Sequence, residues 1–146
     1  LGTFAPGESP AVTNGTNQGF GGKVQVELGG TGPGFGDANH DQINDTATIL
    51  LVGSPTLEIL PWNNFVPGVG DEFVVMTWAA GLAGAFGDVV TDAWFTDRGL
   101  SFDLRYENVD GPGRLMLEAV PEPATLALVA LGGVAVLRRR MPIRFI

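Results

Sequence analysis

Residues 37–45 carry oxygen-bearing side chains at nearly alternate positions, the arrangement of loops that wrap calcium. Asp37, Asn39, Asp41 and Asp45 are the candidate ligands. The pattern is incomplete, because Gln42 stands where such a loop needs glycine and Thr48 where it needs an acid. A solvated polar turn is therefore expected here, with no bound metal. His40, the only histidine, lies in the same polar run and is expected at the surface. Ser9 has the wrong neighbour for a nucleophile elbow, since Pro10 lacks the backbone N–H that an oxyanion hole requires. The stretch 19–23 lacks the spacing of a phosphate loop, with Val24 in place of its hydroxyl. The glycines of 30–36 precede no helix that could hold phosphate. Glu58 and Asp103 are carboxylates within expected strands, the raw material of glycosidase chemistry, but spacing does not bring them together. These residues imply no cofactor and a chain that is not an enzyme.

The elements that would position these groups are short strands. Residues 23–28 alternate polar and apolar, the period of a half-buried strand. Residues 47–52 and 56–60 read as strands on either side of a Gly53-Ser54-Pro55 turn, and 72–77, 100–106 and 114–119 as three more. The 22 glycines and 10 prolines punctuate these runs, while a mean hydropathy of +0.21 argues against disorder. Without a long amphipathic helix, the expected class is all-β. Trp62, Phe65, Phe73, Trp78, Trp94 and Phe102 are expected to supply core or cap packing. The chain has no cysteine, so disulfides and thiolate metal sites are excluded.

Charge is unevenly distributed. Residues 1–123 hold all 16 acids against Lys23, Arg98, Arg105 and Arg114, and the remainder holds four arginines and no acid. An acidic body repels nucleic acid, so no nucleic-acid partner is expected. The first residue is Leu1, within what reads as a strand-and-turn pattern, and a longer parent chain with its own export signal is expected.

The C-terminal segment has three unlike features in sequence. Pro121, Glu122 and Pro123 end the last strand. Residues 124–137 are apolar and uncharged, enough for a helix of roughly 21 Å against a hydrocarbon core of roughly 30 Å. Arg138, Arg139 and Arg140 follow at once, a cluster that stays on the cytoplasmic side of a membrane and sets orientation. This combination resembles the PEP-CTERM sorting signal. The resemblance implies an exosortase-type membrane processing enzyme as partner, recognition and cleavage near Pro121–Pro123, and membrane insertion of one short C-terminal apolar helix before processing. Domains are expected at 1–119, a β-rich extracytoplasmic module, and 120–146, the sorting tail.

The body has a second resemblance, carried by Asp41-Gln42-Ile43-Asn44, the Pro67-Gly68-Val69-Gly70-Asp71 turn before Phe73-Val74-Val75, and Gly84-Ala85-Phe86. These look like the terminal module of autotransporter-like β-helix passengers. That resemblance implies the end of a parallel β-solenoid, with a β-sandwich-like cap as the other reading. The expected function is a non-catalytic, structural or adhesive protein of the cell envelope, cell surface or extracellular matrix, touching extracellular polysaccharide. The alternative is the end of a secreted carbohydrate-active enzyme whose active site lies upstream.

Overall fold

The computed structural model describes residues 2–5, 10–34, 36–123 and 131. The described chain is mostly strand, with a curled, half-barrel sheet. Its elements in order are β1 (Thr3–Phe4), β2 (Val12–Gly15), β3 (Gly19–Leu28), β4 (Gly32–Pro33), β5 (Asn39–His40), β6 (Gln42–Asp45), β7 (Thr48–Pro61), β8 (Glu72–Trp78), β9 (Gly81–Ala83), β10 (Asp88–Thr91), α1 (Ala93–Thr96), β11 (Leu100–Glu107) and β12 (Gly113–Pro121). One sheet runs β10-β7-β3-β5-β4, with β1 on β3 and β9 on β7, and the other runs β11-β12-β8-β6-β2.

Pairing is parallel across most of the first sheet and antiparallel at the C-terminal side of the second. β1, β3, β7 and β10 lie side by side in parallel, as do β2, β6 and β8. Strand-forming residues face inward at every second position. Val24 pairs with Leu57 and Leu57 with Val89; Val26 pairs with Ile59; Phe20 pairs with Leu51. Val24, Val26, Leu57 and Ile59 are buried, and they join Ile43, Phe73, Val75, Leu115 and Leu117 of the other sheet in a single core. Phe73 sits at its centre, edge-on to His40, Phe65 and Phe102 at 5.5, 6.1 and 6.2 Å between ring centroids.

The expected turn at Gly53-Ser54-Pro55 does not separate two strands. β7 runs through it as a corner, and β3 has its own irregularity opposite, between Gly21 and Lys23. Gly22, Gly53 and Ser54 take positive φ there (75°, 68° and 53°), and the Gly87 N–H donates to the Pro55 carbonyl from the next layer at 3.0 Å. A local turn signal was thus correct about the backbone and wrong about the ladder, which neighbouring strands carry past the bend. Between Trp78 and Leu100 lie β9, β10 and α1, for which the sequence analysis expects no elements. α1 starts at Asp92, whose carboxylate accepts from the Trp94 N–H at 2.8 Å.

The antiparallel pair β11–β12 closes the second sheet, with Leu100 opposite Pro121 and Glu107 opposite Arg114. β12 extends to Pro121, two residues past the expected strand end. Backbone alternation explains why proline is tolerated. The Ala119 N–H donates toward β8, to the Asp71 carbonyl, and the Glu122 N–H donates the other way, to Gly99. Position 121 therefore faces the β8 side, where pairing has ended at Glu118 opposite Glu72.

Candidate functional site

The run 37–45 is not a solvated turn. It contains β5 and β6, and two of its three acids are interior: Asp41 is 1% exposed and Asp45 is 4% exposed. Asp41 Oδ1 accepts from the Ala11 N–H at 2.8 Å, and Oδ2 from the Glu27 N–H at 2.7 Å. Asp45 Oδ1 accepts from Asn17 and Ala47 at 3.0 and 2.7 Å, and Oδ2 from Gln18 at 2.7 Å. Asp37 is exposed and accepts from Trp62 Nε1 at 2.8 Å; Asn39 is half-buried in β5. Among the described residues no three His, Cys, Asp or Glu side chains are gathered to hold a metal ion. The two buried carboxylates instead satisfy main-chain donors where parallel strands bend into connections, groups that ladder pairing leaves over.

Burial pushes the Asp41 carboxyl above its ordinary value, while the Glu27 and Ala11 N–H groups pull it back. Glu27 is also raised, first by burial and then by the neighbouring Asp41 charge. His40 departs from expectation altogether: it is fully buried, not a surface residue. Its position in β5 turns the ring inward against Phe73, with Nε2 at 2.9 Å from the Val74 carbonyl and Nδ1 at 3.2 Å from that of Gly30. Gln42 Nε2 donates to the same Val74 oxygen at 2.8 Å. A neutral ring donates through only one nitrogen, so both carbonyls cannot be served at once. Burial nonetheless holds the imidazole below its ordinary value, against the pull of the Val74, Gly30 and Gly32 carbonyls.

The other chemical candidates are not brought together. Glu58 lies on the outer face of the first sheet, accepting from Gln25 Nε2 at 3.0 Å and paired with Lys23, whose ammonium lowers its pKa. Asp103 is exposed on β11 of the second sheet. Ser9 lies outside the described residues, as do Arg138, Arg139, Arg140 and all of the expected apolar helix except Leu131. Among the described residues no helix is long and apolar enough to cross a membrane.

Two polar features went unread in the sequence. Across the outer face of the second sheet, Asn14, Asn44, Thr77, Arg114 and Glu107 occupy successive register positions. Asn44 Nδ2 donates to Asn14 Oδ1 at 3.2 Å, Thr77 Oγ1 to Asn44 Oδ1 at 2.7 Å, and Arg114 Nε to Glu107 Oε2 at 2.6 Å. Near it, Arg105 reaches Glu72, Glu107 and Glu118 at 2.9, 3.2 and 3.8 Å. The only sequence signal was the repeated Asn before a Gly or Asp at strand ends.

At the other end of β12 the Pro-Glu-Pro segment joins the fold without a spacer. Pro121 is half-buried opposite Leu100, Glu122 is half-buried with its N–H on the Gly99 carbonyl at 2.8 Å, and Pro123 is exposed. The Pro67–Asp71 connection is fastened to the same place, the Gly70 N–H donating to Ala119 at 2.7 Å and the Ala119 N–H to Asp71 at 2.9 Å. The PEP-CTERM protein-sorting motif matches residues 119–140. None of the curated proteins matches the chain. Such motifs are processed by exosortase, a membrane enzyme, so the chain carries a C-terminal exosortase sorting signal and is an exported, envelope-associated protein.

The role given to Asp45 predicts that Asp45→Ala, which strips three N–H groups of their acceptor, lowers stability by on the order of 3 kcal/mol. Urea unfolding with calcium and with a chelator should give the same loss; a loss confined to calcium-containing buffer would make Asp45 a ligand.

His40 predicts a pH dependence. The unfolded chain takes up a proton as pH falls through about 6.5, and the folded chain, with its depressed imidazole, does not. This group's contribution is therefore full above that pH and lost below it. The raised Asp41 and Glu27 act oppositely, their burial cost being relieved as they take up protons in acid. The thermal midpoint should fall more steeply from pH 7 to pH 5 in the parent chain than in His40→Gln, and equal slopes would contradict a neutral buried ring.

Proposed function

We propose that this chain is the terminal module of a longer, non-catalytic envelope protein, structural or adhesive in role, which the sorting tail delivers to the outside of the cell. One observation carries the reading: the sorting motif at residues 119–140 starts inside the last strand, so the β-module is the part that is displayed.

The further reading of the module as the end of a parallel β-solenoid is supported by the spacing of stacked positions. Asn14 meets Asn44 and Thr16 meets Thr46 with a separation of 30 residues, while Gln25 meets Glu58 and Asn44 meets Thr77 with a separation of 33. Repeated separations of this size are what one coil per layer produces. On that reading β11 and β12 are a cap, their antiparallel pairing ending the stack where an open parallel edge would invite association. The edges of β2 and of Gly19–Gly21 at the opposite side would take a preceding coil. An open groove of about 430 Å³, lined by Gly2, Thr3, Phe4 and residues 18–21, lies beside the latter.

Absence of catalysis in this module is supported by where the candidate groups sit. His40 is enclosed, Asp41 and Asp45 serve backbone N–H groups, and Glu58 and Asp103 occupy outer faces of different sheets. Contact with extracellular polysaccharide is supported by the outer row of amide, hydroxyl, guanidinium and carboxylate groups on the second sheet, whose donors and acceptors match sugar hydroxyls.

The C-terminal peptide of the mature protein, made in a host with its sorting machinery, tests the reading by mass. A terminus near residues 121–125 in that host, and Ile146 in the same host without exosortase, is the expected pair of results. Ile146 in both would leave a plain C-terminal anchor and remove exosortase from the account.

A further inference from the structure

Three segments converge at the end of the module from which the tail departs. The Gly68–Asp71 turn is fastened to Ala119, the α1–β11 turn is fastened to Glu122 through Gly99, and Leu100 pairs with Pro121. On this end the first connection carries two apolar side chains with no core role: Val66 is 48% exposed and Val69 is 64% exposed. Behind them Phe65 packs on the core, and its carbonyl accepts from Trp94 Nε1 at 2.9 Å. Arg98 lies over the Trp94 ring at 3.3 Å from its centroid. Half-buried tryptophan, arginine and exposed valine together make a surface with an apolar base and polar tips, the chemistry of a membrane–water interface.

Distance decides what this surface meets. The Glu122 N–H is fixed to the body, and the apolar run begins at residue 124. Two residues span at most about 7 Å. The headgroup layer on each side of the hydrocarbon core is about 5–8 Å thick. With the apolar run inserted, Glu122 therefore lies in the headgroup layer and the end of the body lies against the bilayer. The run is also short for the core, a mismatch that draws flanking residues inward rather than letting them stand off.

We infer that Val66 and Val69, with the Trp94–Arg98 pair beside them, form a docking surface for a zwitterionic lipid interface while the tail is inserted. The inference rests on the sorting-tail reading above. Zwitterionic headgroups are specified by charge: Asp71, Asp97 and Glu122 outnumber Arg98 at this end, which disfavours anionic lipid. The docked body is held with its last strand at the surface, where a membrane processing enzyme meets the Pro-Glu-Pro segment.

The chain has no cysteine, so one introduced thiol is a unique reporter. Val66→Cys, Val69→Cys and Val109→Cys would each carry an environment-sensitive nitrobenzoxadiazole dye in the full chain. Val109 is 41% exposed and belongs to the connection between β11 and β12 at the far end of those strands, so it serves as control. Val134→Cys reports on the apolar run itself. In vesicles of phosphatidylcholine and phosphatidylethanolamine the dyes at 66 and 69 should shift to the blue. They should lose emission to headgroup-depth nitroxide lipids, while 109 stays as in water. Dyes at 66 and 69 that remain as water-exposed as 109 while 134 is buried would overturn the docking surface alone. A dye at 134 that stays in water would overturn the tail reading, and the docking surface with it.

Discussion

The buried carboxylate of Asp45 is the constraint on which the parallel part of this structure depends. Parallel strands that bend at corners leave main-chain N–H groups with no ladder partner, and burying such groups unpaired is costly. One carboxylate collects three of them, from Asn17, Gln18 and Ala47, and so fixes the β2–β3 connection over the β6–β7 connection. Asp41 does the same for Ala11 and Glu27, joining the start of β2 to β3. Once these corners are set, Val24, Leu57 and Val89, and Val26 and Ile59, fall into register without further specification. Ionised groups in an interior are tolerated only with such donors around them, which is also why hydrogen bonding opposes the upward push of burial on Asp41.

The same economy governs the C-terminal end. β12 carries the fold into the sorting segment with no flexible spacer, and the hydrogen bond from Glu122 to Gly99 places the first residues of the motif within the body. A processing enzyme in the membrane therefore meets a motif whose upstream side is a folded surface, with Val66, Val69 and Trp94 around it. On the proposed docking, sorting and folding are coupled by geometry, since where the last described strand ends sets how far the body stands from the bilayer.

Much of this was legible in the residues. The β-class, the main strands and the tail follow from alternation, proline placement and the ordered sequence of motif, apolar run and arginines. His40, Asp41 and Asp45 were misread for one reason. A polar run between glycines looks solvated when read locally, whereas here its side chains point, Ala47 apart, at main-chain groups 10 to 34 residues away in sequence. Glycine and alanine after Trp78 likewise hid β9, because its strand character comes from lying against β7 and not from its own propensity. At Gly53-Ser54-Pro55 the local signal described a bend correctly but could not report that neighbouring strands bend with it.

Residue-resolved hydrogen exchange of the folded chain tests the central claim most directly, since each fastening is a particular amide. The N–H groups of Asn17, Gln18 and Ala47, and that of Glu122, should be protected to the level of core amides such as those of Val26 and Ile59. Exchange of these four at the rate of an exposed turn residue such as Asp110 would mean that neither the Asp45 fastening nor the unbroken passage into the sorting motif exists in solution.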